Sequence, residues 1–293
     1  MDTVYAVLVA YNPEHNDLKN AVELLLRQVT KVVVCNNSTN GYKYAENSSG
    51  DVKIFNFNDN LGIAEAQSIG MKWAFENGAD FILQMDQDSI PDPKMVEQLL
   101  TCYKKLLKQN VNVGLVGSQD FDKVTGELNK ARVKKGKPLT EVYYEVDSTL
   151  SSGSLIPKNS WLIVGGMKDE LFIDAVDHEY CWRLRAAGFK VIRNKNALLA
   201  HRLGDGRFKI LNILSVGLPS PFRHYYATRN IFLLLNKKYV PIYWKISSLV
   251  KLIGKVFLYP IFLPNGNKRL YFFLKGINDG LMGRSGKMKC IID

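Results

Sequence analysis

Paired cysteines are missing from this chain. Its four cysteines, Cys35, Cys102, Cys181 and Cys290, are scattered without any CxxC spacing, which excludes a disulfide framework and a thiolate zinc site and points to a reducing, cytoplasmic compartment. A basic leader is missing as well. Residues 3–10 (TVYAVLVA) run directly into Tyr11, Asn12 and Pro13, so a buried strand is expected there rather than a signal peptide. An uncharged membrane-length run is not found in the apolar stretch 239–264, where Lys245, Lys251 and Lys255 interrupt the aliphatic residues. A spanning helix is therefore not expected. Internal repeats and low-complexity segments are absent too.

What remains is ordinary globular composition, 46% hydrophobic and 23% charged over 293 residues, enough for one large core or two modest ones. The formal net charge of +11 is unevenly placed. From Ile231 onward there are eleven Lys or Arg against Asp279 and Asp293, so the tail carries +9 and the preceding 230 residues are near neutral. Nucleic acid is a poor partner for that tail, because its aromatic residues come with a large aliphatic load instead of a polar groove. An in-plane amphipathic helix on an anionic membrane fits better. The alternative is a helical hairpin packed on the catalytic domain or on a second subunit of a homodimer.

In the first 120 residues, apolar runs at 4–10, 31–35, 52–57, 81–85 and 113–117 alternate with helix candidates at 13–28, 63–77 and 93–109. Parallel strands covered on both faces read this way, so an α/β, Rossmann-like, mostly parallel doubly wound sheet is expected. Its ligands belong at the carboxyl ends of the strands. Further on, 141–156 reads as extended and 179–187 as a helix stopped by Gly188, before the C-terminal helical region.

One strand candidate ends in chemistry. In FILQMDQDS, 81–89, Asp86 and Asp88 sit where such a sheet presents its ligand. Carboxylates there suit Mn²⁺ or Mg²⁺ and a diphosphate whose charge must be neutralised, although a solvated turn uses the same residues. Asp174, Asp177 and Glu179 come just ahead of a helix; Asp177 is the candidate general base, or otherwise a helix cap. His201 ends another apolar run, as a third metal ligand or a plain strand-end histidine. Gly62, ahead of the helix from Ile63, lets the backbone approach an anion or simply makes a turn. Arg183, Arg185, Arg202, Arg223 and Arg229 are candidates for phosphate contacts, with Arg229 foremost.

Taken in order, AYNP (10–13), VCNNS (34–38), NDNLGIAEAQSIG (58–70), MDQDS (85–89), SSGSLI (151–156), FIDAVDHEYCWRLRAAG (172–188) and HRLGD (201–205) resemble the inverting family 2 glycosyltransferases. RHYYATRN, 223–230, resembles the bacterial rhamnosyltransferase branch. The resemblance spans roughly residues 3–235 and implies a GT-A fold: a nucleotide-sugar-binding half, 1–120, an acceptor-binding and catalytic half, 121–235, and the appended region 236–293. It implies that Asp86 and Asp88 hold ribose and metal with His201, that Asp177 is the base, and that Ala10, Tyr11, Asn36 and Asn60 line the nucleotide. Cys35 stands where the family usually has aspartate. The implied reaction moves L-rhamnose from dTDP-L-rhamnose to a polyprenyl-diphosphate-linked saccharide of a cell-surface polysaccharide, at the inner face of the plasma membrane. A UDP-sugar donor or a non-catalytic saccharide-binding module are the alternatives. A nucleotidyltransferase fits less well, since AYNPEHND offers neither glycine nor lysine for a phosphate loop.

Overall fold

The computed structural model describes residues 2–39, 50–122, 125–128, 136–201, 207–210 and 214–289. Arg202, Cys290 and residues 203–205 of the HRLGD motif lie outside them. The chain forms two compact units, Met1–Asp169 with Asp177–Arg202, and Glu170–Val176 with Leu203–Asp293. Strands from both implied halves hydrogen-bond into one sheet, which lies in the first unit.

The first unit is built on β1 (Val4–Ala10), β2 (Lys31–Asn36), β3 (Val52–Asn56), β4 (Phe81–Asp86), β5 (Ile90–Pro91), β6 (Val113–Asp122), β7 (Lys137–Pro138), β8 (Tyr143–Glu145), β9 (Ser154–Pro157) and β10 (Lys190–His201). The order is β3-β2-β1-β4-β9-β6-β10-β8-β7, with β5 paired to β10. The pairs β3-β2, β2-β1, β1-β4 and β6-β10 are parallel, while β9 runs antiparallel between β4 and β6.

Alternation along β1 explains why helices cover both faces. Val4, Ala6, Leu8 and Ala10 pack with Leu18 and Leu25 of α1 (His15–Leu26) and with Met95, Leu99 and Leu106 of α3 (Met95–Lys108). Val7, of opposite parity, lies under Gly70 of α2 (Ile63–Glu76) together with Cys35: a Cβ on Gly70 would come within 2.6 Å of Val7 Cγ1 and 2.8 Å of the Cys35 sulfur. Cys35 is thus a sheet-interior side chain. Burial pushes its thiol, and those of Cys102 and Cys181, up to about 12.

Two expected elements take other bounds. The segment 141–156 is extended only in β8 and β9, because a turn at Ser151–Ser154 intervenes, with Gly153 at φ +74° against Ser118. A fifth helix begins at Val176, three residues before the expected start. Between the two come α4 (Lys158–Val164) and a single 3₁₀ turn, Asp169–Leu171; that fifth helix is α5 (Val176–Ala186). It ends as expected: Gly188 is left-handed, its N–H bonds Arg185, and the Phe189 N–H bonds Leu184, which closes the last turn.

The second unit holds a two-stranded ribbon, β11 (Arg207–Ile210) with β12 (Leu214–Gly217), and three helices, α6 (Arg223–Leu235), α7 (Ile242–Phe262) and α8 (Gly266–Leu281). The tail is thus a pair of helices. Leu252, Tyr259 and Leu263 pack inward with Phe273. The opposite stripe of α7, Ile242, Ile246, Val250, Ile253, Phe257 and Ile261, is exposed by 58–74%. No helix among the described residues is long and apolar enough to cross a membrane.

Candidate active site

The carboxyl ends of β1, β2 and β4 meet at one edge of the sheet, and the loops that leave them are tied together by amides. Asn36 Nδ2 donates to Asn56 at 2.7 Å, while Asn36 Oδ1 accepts the Ser38 N–H. Asn37 donates to Asn60 and to the Gly62 carbonyl and accepts the Leu61 N–H at 2.9 Å. Asn60 in turn accepts the Gly62 N–H. Asn36 and Gly62 are therefore spent largely on loop shape. Ala10 is buried, its carbonyl taking the Asn37 N–H, and Tyr11, 47% exposed, is gripped through its backbone by Gln87. Asn37, Ser38 and Gln87 were not singled out from sequence; VCNNS was legible as a motif, its second asparagine as a strut was not.

At the end of β4, ligand oxygens of Asp86 and Asp88 and a ring nitrogen of His201 lie within 4.8 Å of one another. Each comes from a different local cause. Asp86 is the last residue of β4, Asp88 follows in the turn, and His201 is the last residue of β10. The Asp86 N–H donates to Ser152 Oγ at 3.1 Å, Ser152 Oγ–H donates to Ser89 Oγ at 3.0 Å, and Ser89 Oγ lies 2.7 Å from His201 Nδ1. In the tautomer whose Nδ1–H is donated to Ser89, the Nε2 lone pair is left for a ligand. Ser89 and Ser152, both buried, thus orient this group, and the turn before β9 exists to bring Ser152 there.

Two carboxylates and an imidazole at this spacing fit a divalent cation. Burial raises the Asp86 carboxyl to about 6, His201 opposes the shift, and Asp88 and Asp177 add to it. A half-buried carboxyl so disfavoured as an anion is a group that a cation would relieve. A folded pKa above the ordinary 3.8 makes the protonated form the stabilising one, so this contribution is complete below about pH 4 and is lost as pH rises through about 6. EDTA-treated protein is expected to lose up to about 3 kcal/mol from this group over that window, and Mn²⁺ to restore stability above about pH 6. Thermal melts from about pH 4 to 8 check this; a melt indifferent to Mn²⁺ at pH 7.5 would remove the cation from the site.

Asp177 is near enough to Asp86 for its charge to add to the rise of that carboxyl. Asp177 lies in the first turn of α5, where its Oδ1 accepts the His178 N–H at 2.8 Å. The arginines are a different matter. Arg183 is spent on Glu179 and on the Val164 and Gly166 carbonyls, Arg185 pairs with Asp147, and Arg223 pairs with Asp174. Arg229, foremost of the candidates for a phosphate contact, is fully buried in the second unit. Its guanidinium bonds the carbonyls of Leu171 and Gly286 and the Asn230 side chain, between the rings of Tyr225 and Tyr226. Carbonyl oxygens have taken the place expected for phosphate.

The same unit contains the segment that leads into Asp177. Phe172, Asp174 and Ala175 all have left-handed φ, of 62°, 69° and 63°, a costly run for residues with side chains. Asn230 Nδ2 holds it by reaching the carbonyls of Leu171, Ile173 and Asp174 at 2.8–3.0 Å, and Phe172 stacks on Tyr226 at 4.8 Å. The RHYYATRN motif is therefore a clamp on the FIDA segment.

Several solved structures share this architecture. The S. aureus TarS crystal structure aligns with a TM-score of 0.59 at 13% identity, over 96% of this chain and 49% of that one. The structure of TarS 1-349 with UDP-GlcNAc aligns at 0.55 and 13%, over 96% and 81%. GalNAc-T7 with UDP, GalNAc and Mn²⁺ aligns at 0.55 and 14%, over 85% and 54%; the chain thus spans about half of GalNAc-T7 and of the longer TarS chain. The fold is of the GT-A type. The family description "Glycosyl transferase family 2" matches residues 5–150. A curated relative, the dTDP-rhamnosyl transferase RfbF of Shigella flexneri, is 35% identical over 260 residues, 84% of each chain. The chain belongs to glycosyl transferase family 2.

Proposed function

We propose that this glycosyltransferase transfers L-rhamnose from dTDP-L-rhamnose, with inversion, to a polyprenyl-diphosphate-linked saccharide during synthesis of a bacterial surface polysaccharide. The observation that carries the donor is the 35% identity, across 84% of both chains, to a protein named for that donor. The nucleotide lies on the exposed Tyr11 and the loops braced by Asn36, Asn37 and Asn60, within the donor half 1–120; residues 121–235 receive the acceptor. Asp177 takes the proton of the attacking hydroxyl, and a single displacement at the anomeric carbon inverts it. Mn²⁺ or Mg²⁺ held by Asp86, Asp88 and His201 supplies the positive charge that a departing nucleoside diphosphate needs. Asp86, Asp88 and Asp177 are all carboxylates, which argues against a non-catalytic module.

The test is nucleoside-diphosphate release from a panel of dTDP- and UDP-sugars with Mn²⁺, Mg²⁺ or EDTA. Release from dTDP-L-rhamnose, lost with EDTA and reduced at least about 100-fold in Asp88→Ala, is expected. Preference for a UDP-sugar would overturn the donor, and metal-independent release the cation.

The exposed stripe of α7 supports a peripheral place on the inner face of the plasma membrane. Six large apolar residues line it within a tail of net charge +9, each cation worth about 1 kcal/mol at an anionic leaflet. Co-sedimentation with phosphatidylglycerol vesicles is expected, weakened at least about tenfold by Ile246→Ser with Ile253→Ser. Equal binding by the variant, or a homodimer in solution that the same substitutions dissolve, would sink the membrane reading.

A further inference from the structure

The second unit carries a pocket that none of this chemistry uses. A cavity of about 470 Å³ lies where the last turns of α8 meet the segment after it, and Lys275, Arg284, Lys287 and Lys289 line it against one carboxylate, Asp279. The lining is thus +3. That carboxylate is already engaged: Tyr225 donates to it at 2.8 Å, Arg284 lies at 2.9 Å and Lys275 at 3.6 Å. Arg284, Lys287 and Lys289 all follow the end of α8 at Leu281, so none of them is a cation of its last turn.

The segment bearing those lysines is held in place. Gly283 and Gly286 have φ of +69° and +74°, values that suit glycine and turn the chain after α8. The Gly286 N–H donates to the Glu170 carbonyl at 2.8 Å, and its own carbonyl accepts from Arg229. The Met288 N–H donates to the Tyr226 hydroxyl at 3.0 Å while its side chain packs against Phe172, Tyr225 and Tyr226. Met288 is turned inward, and the lysines on either side of it line the cavity. Four cations gathered around a preshaped space want an anion with several oxygens, and a diphosphate is the group that answers it. The surroundings are amphiphilic. Tyr271 and Met282, four residues before and seven after Lys275, lie on the same side of α8 and are 52% and 61% exposed.

We propose that this pocket seats the diphosphate of a prenyl-diphosphate-linked acceptor, with the prenyl chain leaving along the apolar side of α8. The proposal rests on the acceptor reading given above. It is tested by calorimetric titration of the full chain with farnesyl diphosphate, inorganic diphosphate and dTDP, comparing wild type with a variant carrying Lys287→Glu and Lys289→Glu. Farnesyl diphosphate is expected to bind, more tightly than inorganic diphosphate, and at least about tenfold more weakly to the variant, while dTDP binds both alike. Unchanged farnesyl diphosphate binding in the variant overturns the pocket. Equal affinity for inorganic and farnesyl diphosphate overturns the lipid as its source, and loss of dTDP binding in the variant would make the pocket part of the donor site. Donor turnover on the same preparations separates the two readings: absent turnover with intact lipid binding condemns the donor reading alone.

Discussion

Asp177→Asn is expected to bind the donor and cation as the wild type does and to lose transfer by about 10³-fold. The substitution keeps size and the oxygen that accepts the His178 N–H, so α5 retains its first turn. What it removes is a basic oxygen near Asp86 and a strand-end cation group. Asparagine cannot take a proton from an attacking hydroxyl at neutral pH, so donor affinity and transfer should separate. Steady-state transfer together with titration of the donor measures both. Turnover within about tenfold of wild type would dismiss Asp177 as the base and direct attention to another carboxylate.

The second large effect is expected at Asn230, which is buried in the second unit. Asn230→Ala removes the donor amide shared by three carbonyls and the oxygen on which Arg229 rests. The Leu171 carbonyl keeps the Arg229 guanidinium, but those of Ile173 and Asp174 lose this donor at about 1–3 kcal/mol each, partly recovered by relaxation, so a loss of about 3 kcal/mol in the unfolding free energy is expected. The left-handed run at Phe172, Asp174 and Ala175 then loses what holds it in that conformation. Because this run is followed two residues later by Asp177, turnover should fall with little change in donor affinity. Denaturant unfolding and transfer kinetics on the same preparation decide it; wild-type stability would show that the clamp is dispensable.

The sheet and its helices could be read in advance because parallel strands covered on both faces are apolar at nearly every position. Runs such as YAVLVA, KVVV and FILQM leave little else to read. Asp86 and Asp88 were legible for the same reason, since a strand that ends in carboxylates announces where its edge lies. His201 and Asp177 needed the motifs on either side. Nothing local marked the struts. Ser89 meets Ser152 across 63 residues, Asn37 meets Leu61 across 24, and Asn230 meets Leu171 across 59. Such pairs exist only once the chain has folded. Arg229 was misread for a related reason: a guanidinium suits carbonyl oxygens as well as phosphate, and sequence does not distinguish the two.

The burial of Cys35, Cys102 and Cys181 has a practical side. With thiols held near 12, only about one in 10⁵ is ionised at neutral pH. Maleimide reagents will pass these three by, and once Cys290 is replaced the protein becomes a silent background for a single introduced thiol. Val250→Cys on the outer stripe of α7 would then carry one fluorophore whose emission reports whether that helix meets water, lipid or another chain.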